Sequence, residues 1–454
     1  MTAEPLLPSS RALTRDLSSD KETPPCLGDG GCSSAMTLKG GKVVHFGEVV
    51  LPASKSESNR ALMIAAYGGF APDFRNLSDS GDTMVLAEAL ESMSFQHRAA
   101  RGKESMLSKA IHKTQQGASI IDIADCGTAA RFMATYMACH EGDWLLTGTE
   151  RMKQRPIQPL VDALLALCAD IQYVEKEGFL PLRIHGKALQ GGKVKVDMTQ
   201  SSQFASSLLL AAPMFPQGLE LELVGNLNSQ PYLDMTVNML CHFSAQVERR
   251  DKLVVVKPKP YEKQQFTIES DWSAASYWYE MAAFCEECEI KLCGLNGPST
   301  LRQAQGSGTA ILQGDAIIAE WMAQLGVGTF VENDAVVLRM IPFEKHPLHF
   351  DFSQHPDLYP TMAATCAGLG VTATFTGLDN LLLKESDRVQ AMQIELAKLD
   401  SRPIRFCAHN DHRVVMALAP LSMLVGSVSF DHPEVVGKSY PTFWDDAAFL
   451  PVQR

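Results

Sequence analysis

No apolar run in this chain is long enough to cross a membrane. Stretches such as residues 204–215 stop short and are broken by Ser and Pro. Positive charge is not in excess: 40 Lys and Arg stand against 52 Asp and Glu, a net charge of −12. That balance disfavours general nucleic-acid binding, while a basic pocket for a small anion stays compatible with an acidic surface. A secretory leader pattern is missing, because residues 8–34 are mostly polar and contain no apolar core segment. No GxxxxGK(S/T) loop occurs, which counts against a P-loop phosphotransferase. The 11 cysteines show no disulfide framework. Cys285 and Cys288 form one isolated CxxC, a weak metal signal without a second pair. Ordinary reduced thiols, and with them a cytoplasmic protein, are the expectation.

The chain does have ample material for cores. Its 454 residues are 46% hydrophobic and 20% charged, which predicts a globular protein of two or more domains. Residues 1–35, rich in Ser, Pro, Gly and charge, read as a flexible extension. Short β-branched runs at 42–46 and 48–51 read as two strands. Beyond them helices and strands alternate. Apolar stripes of helical period lie at 83–93, 128–139, 157–167 (with Pro156 at its start), 203–212, 314–325 and 386–399. The expected class is α/β, built from small repeated βαβ-type modules rather than one doubly wound sheet.

Chemistry-bearing residues gather at predicted helix starts. In LPASKSESNR, three hydroxyls (Ser54, Ser56 and Ser58), Lys55 and Arg60 sit at the head of a helix. Free backbone N–H groups and the dipole attract anions there, and Arg grips a carboxylate or phosphate through two bonds. A capped helix start with a solvated Lys and Arg accounts for that segment equally well. Asp125-Cys126-Gly127-Thr128 and Arg131 form a second such turn, a small anion nest or a plain capped turn. Arg151, Lys153 and Arg155 place three cations before Pro156, either lining an anion site or forming a solvated charge run. Ser201, Ser202 and Gln203 precede an apolar helix and offer hydrogen bonds to hydroxyls or phosphate beyond what capping needs. Ser229 and Tyr232 sit in a turn that presents a hydroxyl and a ring, or is only structural.

The C-terminal half holds the acid–base candidates. Asp357 lies in HPDLY. In KESDR, Lys384 and Arg388 are expected one helical turn apart on one face, with Glu385 pointing elsewhere. A surface salt-bridged helix start is the plainer account. Asn410, Asp411, His412 and Arg413 precede a strongly apolar run, which suggests a site at a buried helix's N-terminus. Lys438 follows Gly437 in a loop.

Together these motifs resemble the 5-enolpyruvylshikimate-3-phosphate synthase family. The likeness is collinear from about Leu51 to about Phe449, through LPxSKSxSNRAL at 51–62, LTG with RMKxRPI at 146–157, SSQF at 201, KExDR at 384 and NDHR at 410. The resemblance implies two similar domains of repeated βαβαββ units, with a cleft between them. One would span 52–268; the other would combine 36–51 with 269–454. It implies transfer of the enolpyruvyl group of phosphoenolpyruvate to the 5-hydroxyl of shikimate 3-phosphate, with release of phosphate, on the way to chorismate and the aromatic amino acids. Carried over by position, Lys55, Arg151, Arg388, Arg413 and Lys438 would hold phosphoenolpyruvate, with Gly127, Thr128 and His412 lining the substrates. Ser56, Arg60, Ser201, Ser202, Gln203, Ser229, Asp357, Asn380 and Lys384 would hold shikimate 3-phosphate, and Tyr232 would also line the substrates. Asp357 would be the base and Glu385 the proton donor, with Lys55 and Lys438 supporting charge transfer. No metal or organic cofactor is required, and a cytoplasmic monomer with no nucleic-acid or membrane partner is implied.

Three departures stand out. Asp125 replaces the family's usual Asn, and a carboxylate there repels an anion unless it is paired or turned away. Leu382 replaces a familiar Arg. The segment between Leu399 and Asn410 lacks a hairpin, whose loss is expected to open a sheet edge or loosen His412 and Arg413. Gly127 is kept, which predicts sensitivity to glyphosate. Two rivals remain at this level. One is the enolpyruvyl transferase acting on UDP-N-acetylglucosamine, which relies on a loop cysteine with no counterpart here. The other is a relative that binds a phosphorylated ligand without turnover.

Overall fold

The computed structural model describes residues 35–39, 42–99, 117–295, 297, 313–333 and 335–454. The extension expected over 1–35 lies outside the described residues up to Ser34, and Ala35 already opens a strand, Ala35–Lys39. By internal contacts the chain forms two compact units. One is Lys55–Ile268; the other joins the residues up to Ser54 with Glu269–Arg454.

The unit Lys55–Ile268 carries helices α1 (Lys55–Gly68), α2 (Gly81–Ala99), α3 (Gly127–Cys139), α4 (Gln158–Ala166), α5 (Gln203–Ala211) and α6 (Gln230–His242). Its two four-stranded sheets share one build. In the first, Ser119–Asp122 runs parallel to Gly142–Thr147, which pairs antiparallel with Leu182–Gly186, itself antiparallel to Asp170–Tyr173. In the second, Gly192–Asp197 runs parallel to Leu219–Val224, followed by Leu253–Val256 and Val247–Arg250. Parallel neighbours need a crossover, and α3 and α5 supply it. Each module therefore reads βαβαββ, the repeat that the resemblance implied. The strand LELELV alternates buried and outward residues, as a sheet covered on one face requires. α3 and α5 are apolar almost all round and bury nearly every residue, so they lie inside. α1, α3 and α5 pack pairwise against one another.

The second unit adds α7 (Trp272–Ala283), α8 (Ile318–Ala323), α9 (Tyr359–Leu369), α10 (Arg388–Leu396), α11 (His412–Leu418), α12 (Ser422–Val425) and α13 (Phe443–Asp446). Here α7, α9 and α11 are the inner three, in mutual contact and buried along nearly their whole length. Lys42–Val50 runs parallel to Glu287–Cys293, which continues into the hairpin Val327–Glu332 and Ala335–Met340. α9 connects the parallel strands Leu348–Asp351 and Ala373–Thr376, and α11 connects Ile404–Phe406 and Val428–Phe430.

Several expectations change. The strands foreseen at 42–46 and 48–51 are one strand, Lys42–Val50, because its parallel partner pairs without a break from Val44 through Gly47 to Val50. The helix foreseen at 157–167 opens at Gln158, with Pro159 rather than Pro156 in its first turn. The stretch 386–399 is helical only over Arg388–Leu396 before tightening into a 3₁₀ turn. Leu348–Asp351 and Ala373–Thr376 form a two-stranded sheet among the described residues. No helix among them is long and apolar enough to cross a membrane. Cys285 and Cys288 are buried, each thiol donating to a backbone carbonyl, and no cluster of three or more His, Cys, Asp or Glu among the described residues is placed to hold a metal.

Candidate active site

In each unit most of the singled-out residues lie at or near helix N-terminal ends. In Lys55–Ile268, Lys55 is the first residue of α1, and its Nζ lies 2.9 Å from Oδ2 of the buried Asp82. Ser56 follows, half-buried. Arg60, one turn on, is 2% exposed. Its guanidinium donates to Thr236 Oγ1 (2.7 Å), the Ser56 carbonyl (2.8 Å) and the Tyr232 carbonyl (3.1 Å), and burial pushes it down to about 10. Two of these bonds tie α1 to α6, and the third stays within α1.

The start of α3 is capped by Cys126, whose thiol accepts from Ala129 N–H. Gly127 is held close by two guanidiniums. A Cβ placed there would meet Arg155 Nη1 and Nη2 at 2.7 Å and Arg131 Nη1 at 2.9 Å. Arg131 donates to the Gly127 and Pro156 carbonyls, and Arg155 to the Asp125 carbonyl at 3.5 Å. Thr128 Oγ1 accepts from Gln203 Nε2 at 3.0 Å, which joins the heads of α3 and α5. Ser201 Oγ accepts the Gln203 N–H, and Ser202 is the N-cap without using its hydroxyl as a cap. Ser229, at φ +57°, caps α6 in the same way, its hydroxyl unused as a cap.

Of the cation run, Lys153 turns away to Glu150 and Glu175. Arg155, a member of that run not among the residues carried over by position, is 8% exposed and lies against Gly127. Arg151, the residue carried over by position, heads the 3₁₀ turn Met152–Gln154. Spacing alone does not distinguish the three, since a tight turn rather than a helix or strand sets their directions.

In the second unit Asp357 is a hub. Its Oδ1 receives Arg388 Nη1 at 2.9 Å and Lys384 Nζ at 3.3 Å, and its Oδ2 receives Arg413 Nη2 at 2.9 Å. Burial alone pushes this carboxyl up, but the charges of Arg413, Lys384 and Arg388 outweigh it and hold it well below the usual carboxylate range. Arg388, fully buried, also donates to Glu385 Oε2 at 2.8 Å and grips Asp411 through Nε (2.8 Å) and Nη2 (3.3 Å). Glu385 therefore points into the cluster, not away from it. Lys384 is not a helical neighbour of Arg388 but ends a 3₁₀ turn, Asp379–Leu383, that also carries the buried Asn380. Lys438 Nζ lies 3.9 Å from Glu385 Oε1. His412 and Arg413 open α11, and Asp411, its N-cap, accepts the Arg413 N–H. Leu382 is exposed on the same 3₁₀ turn.

Asp411 and Asp82 were missed as positioning carboxylates. Asp411 stood inside a quoted motif, but its partner Arg388 lies 23 residues away. Asp82 shares no motif with Lys55, and they are 27 residues apart. Chemically, one unit offers cations and hydroxyls suited to anionic substrates. The other offers an ionised carboxylate and a second carboxyl within reach of four cations.

Comparison with known proteins gives a consistent result. A family model described as EPSP synthase (3-phosphoshikimate 1-carboxyvinyltransferase) matches residues 41–447. A 3-phosphoshikimate 1-carboxyvinyltransferase of Bacteroides fragilis (strain YCH46) is 38% identical over 419 residues, covering 88% of this chain and 93% of that one. One from Vibrio cholerae serotype O1 (strain ATCC 39541) is 33% identical over 428 residues, covering 89% and 96%. Among solved structures, an EPSP synthase from Acinetobacter baumannii superposes with a TM-score of 0.63 at 20% identity, covering 89% of this chain and 95% of that one.

Proposed function

The chain belongs to the EPSP synthase family, and we propose on that premise that it transfers the enolpyruvyl group of phosphoenolpyruvate to the 5-hydroxyl of shikimate 3-phosphate and releases phosphate. The observation that carries this beyond family membership is the Asp357 cluster. One half-buried carboxylate is kept ionised by Arg413, Lys384 and Arg388, and Arg388 binds the candidate acid Glu385 as well.

In this reading Asp357 takes the proton of the 5-hydroxyl as its oxygen bonds to C2 of phosphoenolpyruvate. Glu385 delivers a proton to the C3 methylene, and a tetrahedral intermediate forms. A proton is then lost from the new methyl group, the C2–O bond to phosphate breaks, and the enol ether remains. Lys55, Arg388, Arg413 and Lys438 hold phosphoenolpyruvate. To these we add Arg155, on its contact with Gly127. Ser201, Ser202, Gln203, Ser229, Tyr232, Asn380 and Lys384 hold shikimate 3-phosphate, with Ser56 and the remaining donor capacity of Arg60. Both substrates are anions, so their arrival competes with Asp357 for its cations and raises its basicity when a base is needed. We assign the enzyme to the cytoplasm and to the monomeric state.

Phosphate release is the test. Release that needs both substrates, and that collapses in Lys55→Ala and Glu385→Ala, is expected. Calorimetric binding of shikimate 3-phosphate with no release would instead establish a binding protein, and would make Asp125→Asn the next variant.

A further inference from the structure

Only residues 407–411 separate the strand Ile404–Phe406 from α11, and the structure shows what holds them. Ala408 to Asp411 form a tight turn closed by Asp411 N–H to the Ala408 carbonyl at 2.9 Å. Both central residues lie at positive φ, His409 at +50° and Asn410 at +52°. Two consecutive non-glycine residues in this region are unfavourable and persist only where the surroundings over-determine them. Two carboxylates do so. Asp431 Oδ1 accepts the Ala408 N–H at 2.7 Å. Glu395, on α10 and 1% exposed, takes His409 Nε2 on Oε1 at 2.8 Å and the Cys407 N–H on Oε2 at 2.9 Å. Lys398 Nζ balances the Glu395 charge at 2.6 Å. The turn leads straight into Asp411, whose carboxylate receives Arg388 and the Arg413 N–H.

We propose that Glu395 is a positioning residue which, through His409, fixes the turn that sets Arg413. The proposal rests on the functional reading above, in which Arg413 holds phosphoenolpyruvate.

Two substitutions at His409 separate this from a purely conformational role. Glycine removes the bond and relieves the positive φ. Glutamine keeps a donor at about the same reach. If the bond positions Arg413, His409→Gly raises KM for phosphoenolpyruvate at least fivefold while KM for shikimate 3-phosphate stays within twofold, His409→Gln remains near wild type, and Glu395→Ala behaves as the glycine variant does. A glycine variant equal to or better than wild type overturns the proposal, as does an equal rise in both KM values. A wild-type chain with no turnover overturns the functional reading and this proposal with it, an outcome that differs visibly from active variants with unchanged KM.

Discussion

Arg388 Nη1 and Asp357 Oδ1 lie 2.9 Å apart, and the arginine in that pair is almost completely buried. Arg388 thus ties the candidate base to the rest of its unit. Burial works against its charge, yet the carboxylates of Asp411, Glu385 and Asp357 outweigh that effect and raise the guanidinium above its ordinary range. Base and cation keep each other ionised.

The acid side of the stability profile should report on this. Asp357 is held below its ordinary value, so its stabilising contribution is full above the unfolded carboxylate pKa of about 4 and is lost as pH falls below that toward the folded value. Asp357→Asn removes the titrating group. Between about pH 4 and pH 2 the wild-type melting temperature should fall more steeply than that of the variant. The same variant should lose roughly 10²- to 10⁴-fold in turnover, the range for a general base. Parallel acid profiles would show that Asp357 is not held ionised in the fold.

Gly127 makes a steric prediction. The Cβ of an alanine would lie 2.7 Å from Arg155 Nη1 and 2.9 Å from Arg131 Nη1. Arg131 is fixed by two carbonyls, so Arg155 is the one that gives way. If Arg155 holds phosphoenolpyruvate, Gly127→Ala should raise KM for that substrate about tenfold, the loss of about 1.4 kcal/mol of binding. The wild-type enzyme should be inhibited by glyphosate, and the variant less so. A wild-type inhibition curve flat into the millimolar range contradicts this.

Much of the architecture was legible because the inner helices advertise themselves. GTAARFMATYMAC and QFASSLLLA, read as helices at 128–139 and 203–212, are apolar nearly all round, which only a central position accommodates. Residues at helix heads, such as Lys55, Gln203 and Arg413, were legible for the same reason. Directions within irregular segments were not. Glu385 was expected to point away because KESDR was read as helix, whereas the helix begins only at Arg388 and the preceding turn folds Glu385 back onto it. Arg155 was hidden by the 3₁₀ turn at Met152–Gln154. The pairs Lys55–Asp82 and Arg388–Asp411 are tertiary, and no periodicity within one segment encodes them.

Lys55 and Asp82 supply a test of anion binding that needs no turnover. Their side chains are 12% and 6% exposed, so loss of the carboxylate leaves a poorly solvated ammonium. Asp82→Ala should cost about 1–3 kcal/mol of stability, as for a hydrogen bond to a charged group. An anion bound at Lys55 would replace the missing charge. Phosphoenolpyruvate should therefore raise the melting temperature of Asp82→Ala by more degrees than that of wild type. An equal or smaller rise would place the anion away from Lys55.

Asp411 and Glu385 share Arg388 but differ in burial, which separates support from chemistry. Asp411 is fully buried, makes two bonds to Arg388 and caps α11, whereas Glu385 is 11% exposed and makes one. Asp411→Ala removes two charged hydrogen bonds, worth roughly 1.5–3 kcal/mol each, from an arginine that keeps Glu385 and Asp357, and loss of an N-cap adds about 1 kcal/mol. Asp411→Ala should therefore lower stability to chemical unfolding by about 4 kcal/mol or more. In Glu385→Ala, Arg388 keeps both Asp411 and Asp357, so stability should change by less than about 2 kcal/mol, while phosphate release drops by roughly 10²-fold or more. Chemical unfolding and phosphate release measured on both variants decide the matter. If Glu385→Ala unfolds as readily as Asp411→Ala, Glu385 is part of the scaffold, and its loss of turnover says nothing about proton transfer.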